Sequence, residues 1–199
     1  IITRDKKGEE KVREAMMYQK GNDRKLYRYT KPESQAGIAT LSLPGDVMWL
    51  YMPAFGKPKK ISILAKSQAF NNTDFSLEDM ANVPYSERYT AMLTGTDGDA
   101  FLITLVAGAS KSNYSKIEAL VSKEFGYPLR MDYFDILGKK IKTSVHKYEK
   151  TGKYWNATEV VMTDLEKEHS TKIVLSEMKF DQGLPDDMFL VEKLAPAGK

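Results

Sequence analysis

Apolar and polar positions alternate with a period of two along most of the chain. Phe101, Ile103 and Leu105 alternate with Leu102, Thr104 and Val106; Leu129, Met131 and Tyr133 alternate with Arg130 and Asp132. Ile141, Thr143 and Val145 interleave with Lys140, Lys142 and Ser144, and Thr171, Ile173 and Leu175 continue the rhythm. Such spacing sends successive side chains to opposite faces and predicts half-buried antiparallel strands. Turn residues divide the runs: Gly21-Asn22-Asp23, Pro44-Gly45-Asp46, Gly95-Thr96-Asp97-Gly98, Asp135-Ile136-Leu137-Gly138 and Lys150-Thr151-Gly152-Lys153. Each supplies Gly, Asn or Asp where a hairpin needs positive φ. They bound expected strands over 10–19, 36–43, 46–52, 85–94, 99–107, 128–134, 139–149 and 154–163. Residues 114–125 have helical propensity, yet Ile117, Ala119 and Val121 alternate, and a strand paired with 128–134 suits the neighbours better. The expectation is a mainly β fold of about ten or eleven strands in a consecutive meander, a sandwich or a barrel.

Only short helices interrupt it. Residues 74–80 begin with Asp74 and Ser76 as candidate caps and carry the early acids Glu78 and Asp79. Residues 184–189 read as a single turn. No linker, repeat or low-complexity stretch occurs, so residues 1–199 are expected to form one domain.

Composition narrows the function more by exclusion than by pointing. With 30 Lys+Arg against 27 Asp+Glu the formal net charge is +3, too small to call for nucleic acid as a partner. Cysteine is absent, which removes disulfides, thiolate metal sites and cysteine nucleophiles. No run of 18 apolar residues is present. The chain opens on Ile1 rather than Met, from which an export signal and a preceding segment are expected to have been removed. His146 and His169 stand among polar residues and are expected to face solvent rather than to hold a metal. Neither a nucleophile motif nor a phosphate-binding loop appears, and Glu78/Asp79 and Asp186/Asp187 fit helix starts better than acid–base work. No enzyme activity, cofactor or metal is expected.

Two features remain. Lys139, Lys140, Lys142, Lys147, Lys150 and Lys153 cluster around one hairpin, either a solvated face that protects strand edges or a dock for an acidic partner; the first is favoured. Ten Met and 11 Tyr, with Val47-Met48-Trp49-Leu50-Tyr51-Met52 apolar on both faces, require cover on both sides of the sheet. A methionine-rich face suits either an ordinary core or a surface that re-packs around variable ligands. If Met48, Leu50 and Met52 face inward, Trp49 braces the other face under an outer cover.

Asp46-Val47-Met48-Trp49-Leu50-Tyr51-Met52-Pro53 followed by Lys59-Lys60-Ile61 resembles the D-x-x-W-L-Y-x-P … R-R-I segment of outer-membrane lipoprotein-sorting proteins, the LolA-like group. Phe70-Asn71-Asn72-Thr73-Asp74-Phe75-Ser76-Leu77-Glu78-Asp79 is similar to that group's F-x-G-S-D-F-S-Y-E-D motif. Tyr133-Phe134-Asp135 with Gly138, Lys139 and Lys142, then His169-Ser170-Thr171 and Leu184-Pro185-Asp186-Asp187-Met188-Phe189, fit as well, so the resemblance runs from about residue 10 to 194.

The resemblance implies an unclosed antiparallel β-barrel with short covering helices. Its expected role is an exported, periplasmic carrier that binds acyl chains of lipids or lipoproteins, with a membrane-anchored transporter or regulator as a further partner. The alternative is an envelope-sensing regulatory module on the same fold. Strand alternation then assigns Met48, Leu50, Met52, Ile61, Ile63, Tyr89, Leu93, Phe101, Ile103 and Leu105 to the lipid-binding inner face. Phe75, Leu77 and Met80 would form a lid. Lys31-Pro32 stands where relatives carry an Arg-Pro step, which makes Lys31 the expected counterpart in cargo release or docking. Asn72-Thr73 replaces the group's Gly-Ser, a turn Asn can still make. The group's long N-terminal helix has no counterpart before the first strand.

Overall fold

A computed structural model describes residues 1–62, 68–81, 83–108 and 112–195. The chain is mainly β, and its strands fall into two open antiparallel sheets. A five-stranded sheet is a local meander of β3 (Glu14–Lys20), β4 (Arg24–Lys31), β5 (Ala39–Leu43), β6 (Val47–Tyr51) and β7 (Lys59–Lys60). The nine-stranded sheet contains β1 (Ile2–Arg4), β2 (Glu10–Val12), β8 (Tyr89–Asp97), β9 (Ala100–Ala107), β10 (Lys116–Ser122), β11 (Pro128–Phe134), β12 (Lys140–Thr151), β13 (Tyr154–Asp164) and β14 (His169–Val174). Its order is β2-β1-β14-β13-β12-β11-β10-β9-β8. Residues 116–122 are a strand, as their alternation requires. Gly21 and Gly152 turn the β3–β4 and β12–β13 hairpins at φ near +60°, a region closed to most side chains.

The strand expected over 10–19 is divided. Residues 10–12 pair with β1 in the large sheet, and 14–20 pair with β4 in the small one. Arg13 is the crossover between the sheets, its amide donating to the Ile1 carbonyl at 2.8 Å. A buried cation where alternation would continue is the physical mark of that break.

Three apolar clusters hold the layers. One lies on the inner face of the large sheet and contains Leu105, Ile117, Met131, Tyr133 and Met162, with Phe75 packed on them. A second lies on the inner face of the small sheet, where Tyr27, Tyr29, Met48, Phe70 and Leu77 meet. Met80 touches both, so the segment from Phe70 to Met80 lies between the sheets. The third cluster covers the opposite face of the small sheet: Leu26, Leu41, Trp49 and Tyr51 pack under Leu184, Met188, Phe189 and Leu194.

That third cluster supplies the cover that two-faced apolar strands require. Trp49 does face away from Met48, and its cover is the C-terminal segment. Arg28 Nη1 donates to the Leu194 carbonyl at 3.0 Å, Lys20 Nζ donates to the Leu184 carbonyl at 2.8 Å, and Lys20 also pairs with Asp186 at 3.0 Å.

Candidate functional site

The site is built around the short helix α1 (Leu77–Met80) and the loop that leads into it. Asn71 and Asn72 both take left-handed backbone, at φ 47° and 57°, a turn that asparagine tolerates better than most side chains. The Ser76 hydroxyl then accepts from the Asp79 amide at 3.1 Å while Asp79 Oδ2 accepts from the Ser76 amide at 2.7 Å. This is a capping box, and it identifies Ser76 rather than Asp74 as the cap.

Asp74 has a different task. Its carboxylate accepts from Thr171 Oγ1 at 2.6 Å and from His169 Nδ1 at 2.7 Å, while its amide donates to Thr171 Oγ1 at 2.9 Å. Lys142 Nζ reaches the Asp74 carbonyl at 2.7 Å and the Tyr114 hydroxyl at 3.4 Å. The Tyr114 hydroxyl donates to Asp79 Oδ2 at 3.0 Å. Burial pushes the Asp79 carboxyl above its ordinary value, and the Lys142 charge acts against that rise. Glu78, its side chain only 4% exposed, accepts from Arg88 Nη1 at 2.8 Å, from Ser112 Oγ at 2.8 Å and from Asn113 Nδ2 at 2.6 Å.

Residues far apart in sequence thus converge on one network: the 74–79 acids, Lys142 of the β12 hairpin, and His169 with Thr171 of β14. Every buried charge named here has a partner of opposite charge or several hydrogen bonds, the condition under which such burial is tolerated. The network pins the segment to the large sheet.

A cavity of about 390 Å³ opens beside it, lined by Asp79, Tyr85, Arg88, Tyr114 and Tyr133 together with Gln19 from the small-sheet side. Tyr85 is exposed along part of its ring, but desolvation at its cavity end raises its pKa to about 12, and burial also raises Tyr114 and Tyr133 well above the ordinary phenol value, so all three phenols stay neutral at physiological pH.

The residues assigned to the inner face are distributed as follows. Met48 is fully buried in the inner cluster of the small sheet, with Leu50, Met52 and Ile61 half-buried against it. Tyr89 and Leu105 are buried, and Ile103 half-buried, in the large-sheet cluster. Phe101 is half-buried near the sheet's edge under the Lys123 ammonium, 5.5 Å from its ring centre. Ile63 lies outside the described residues.

Leu93 departs from its assignment, being 65% exposed. It is opposite Ile103 on the edge strand β8, just before a register shift, and nothing among the described residues covers that end. Of the lid residues, Phe75 packs on the large-sheet cluster, Leu77 on the small-sheet cluster, and Met80 on both. Lys31 is exposed and pairs with Glu14 across the β3–β4 hairpin at 3.0 Å.

Neither histidine faces solvent as expected. His169 holds Asp74. His146 is half-buried with Nε2 2.8 Å from Ser144 Oγ, and burial pulls its pKa down to about 4. Periodicity places a side chain on a face but is silent about a partner 95 residues away. The lysine cluster is largely neutralised: Lys139 pairs with Glu166 at 2.6 Å, Lys147 with Glu159 at 2.8 Å, and Lys142 turns inward.

Comparison with known proteins gives this arrangement relatives. A family model described as "Uncharacterized protein"-like matches residues 21–195. No curated protein matches. Among solved structures, a putative outer membrane lipoprotein-sorting protein domain from Vibrio parahaemolyticus is 25% identical, with a TM-score of 0.88 over 98% of this chain and 88% of that one. A DUF1329 family protein from Desulfovibrio piger is also 25% identical, with a TM-score of 0.87 over 97% and 88%. The LolA superfamily protein of Nitrosomonas europaea, 22% identical over 96% and 87%, shares the fold at a TM-score of 0.80. The chain thus belongs to the family whose model spans residues 21–195, and likeness of this order over nearly its whole length gives it the LolA-like fold seen in outer-membrane lipoprotein-sorting domains.

Proposed function

We propose that this chain is a non-enzymatic periplasmic carrier that takes up acyl chains of lipids or lipoproteins between its two sheets. The observation that carries the reading is the methionine-rich apolar interior shared by both sheets. There Met48, Leu50, Met52 and Ile61 face the segment of Phe70, Leu77 and Met80. Burial of one methylene is worth about 0.8 kcal/mol, so a sixteen-carbon chain offers roughly 12 kcal/mol before ordering terms. The interior is closed by Phe70, Phe75 and Leu77, so an acyl chain takes the place of those side chains as the segment moves. Methionine, unbranched and polarizable, adapts to either occupant.

Native mass spectrometry of freshly purified protein, followed by titration with a fluorescent acyl probe, tests the reading. A co-purified acyl species and saturable probe binding that falls in Leu50→Asp are expected. A folded protein that carries no ligand and binds no probe would overturn it.

A further inference from the structure

Arg13 presents an unusual situation. It is 4% exposed, and its Nη1 has no hydrogen-bond partner among the described residues. The hydroxyls of Tyr27 and Tyr29 beside it are also buried; they lie close to each other, and that of Tyr29 close to Asn71, but neither makes a hydrogen bond of full geometry among the described residues. Asn71 stands near Tyr29, but its Nδ2 is directed to Gln35 Oε1 at 3.0 Å. Burial raises both phenols above their ordinary value, while the Arg13 charge acts in the opposite direction on each. They are therefore neutral donors at physiological pH.

Tyr27 and Tyr29 meet edge to face with ring centres 5.3 Å apart, and Phe70 stacks on Tyr29 at 5.8 Å. Three buried donors lie together, Arg13 Nη1 among them, and no carboxylate among the described residues pairs with that guanidinium. An unanswered buried charge is among the most destabilising features a fold can carry. Elsewhere Glu78 and Asp74 each accept several hydrogen bonds, and the other buried atoms without a partner among the described residues, Arg88 Nε and Asn156 Oδ1, stand singly, Arg88 with its charge paired to Glu78.

We propose that Arg13, Tyr27 and Tyr29 form a headgroup site for the anionic end, carboxylate or phosphate, of a single-chain amphiphile. The donors match that chemistry: a guanidinium offers parallel N–H groups to an oxyanion, and two phenols complete its hydrogen bonds. The tail has a continuous path, because Tyr27 and Tyr29 belong to the same apolar cluster as Met48, Leu50, Met52 and Ile61. This deepens the acyl-carrier reading and rests on it. It adds a polar selection that an apolar interior alone lacks: a neutral lipid of equal length leaves the three donors unanswered and binds more weakly.

The test uses cis-parinaric acid, its methyl ester and a sixteen-carbon lysophosphatidic acid as competitor, on the full chain. Wild type is expected to bind the acid at least about tenfold more tightly than the ester, the least that one charge-assisted hydrogen bond supplies. Arg13→Met should abolish that preference while ester affinity holds, and should raise the melting temperature of the ligand-free protein. Should Arg13→Met fail to fold, Tyr27→Phe and Tyr29→Phe decide, since each removes only a hydroxyl that makes no hydrogen bond of full geometry; each should narrow the preference several-fold. Competition by lysophosphatidic acid stronger than that by palmitate identifies a phosphate headgroup, and the reverse a carboxylate. Equal binding of acid and ester by wild type overturns the headgroup site and leaves the carrier reading standing. Binding of none of the three overturns both.

Discussion

Single side chains carry two measurable consequences. His146 takes a proton near pH 6.5 when the chain is unfolded but only near 4 when folded, because burial opposes its charge. Stability is therefore complete above pH 6.5 and falls as pH drops towards 4, by up to about 3 kcal/mol. Urea denaturation between pH 7.5 and 4.5 should show that slope in wild type and a shallower one in His146→Gln. Trp49, half-buried on the outer face of the small sheet, gives the second. Trp49→Ala should lower stability by about 2 kcal/mol, roughly half the loss for a fully buried tryptophan. Acyl-probe affinity measured on the same folded variant should be unchanged, since the side chain points away from Met48. Lost affinity at intact stability would put Trp49 inside.

At the scale of the element, the segment from Phe70 to Met80 is held by opposed interactions. Apolar side chains face both sheets, and a polar network ties the backbone to β14 and β12. His169→Ala leaves the Asp74 carboxylate buried beside Thr171 alone, and should destabilise the protein by about 2–3 kcal/mol. Amide exchange from Phe70 to Ala81 should quicken in this variant, and stopped-flow uptake of an acyl probe with it. Unchanged exchange would mean that apolar contacts alone hold the segment. Ser76, Glu78 and Asp79 made this helix legible, because a capping box is a local pattern. The Asp74–His169 contact was not, because each residue looks like an ordinary polar position in its own strand or loop. Leu93 shows the same boundary from the other side. Alternation assigned it to the face it does share with Ile103, but whether anything covers that face depends on the sheet's edge, which no local pattern encodes. Arg13 broke a strand that periodicity read as continuous.

For the whole molecule, the C-terminal segment is the outer wall of the small sheet. A chain ending at Gly183 should expose Leu26, Leu41 and Tyr51, shift Trp49 emission to the red and bind hydrophobic dyes. Native-like emission would show that the wall is dispensable. Crossing between sheets at Arg13 also has a consequence in time. Strands β8 to β14 are sequence neighbours paired in order, and so are β3 to β7, so each meander closes only short loops as it forms. β1 is different: Ile2 must find Lys172 across nearly the whole chain, and Leu194 must return to Arg28. Refolding should therefore be sequential. Two local sheets acquire exchange protection first, and the β1–β14 pairing and the C-terminal wall lock last, as slow long-range closures. During that interval the inner face of the large sheet stands open, and nascent chains at that stage are the ones most exposed to aggregation.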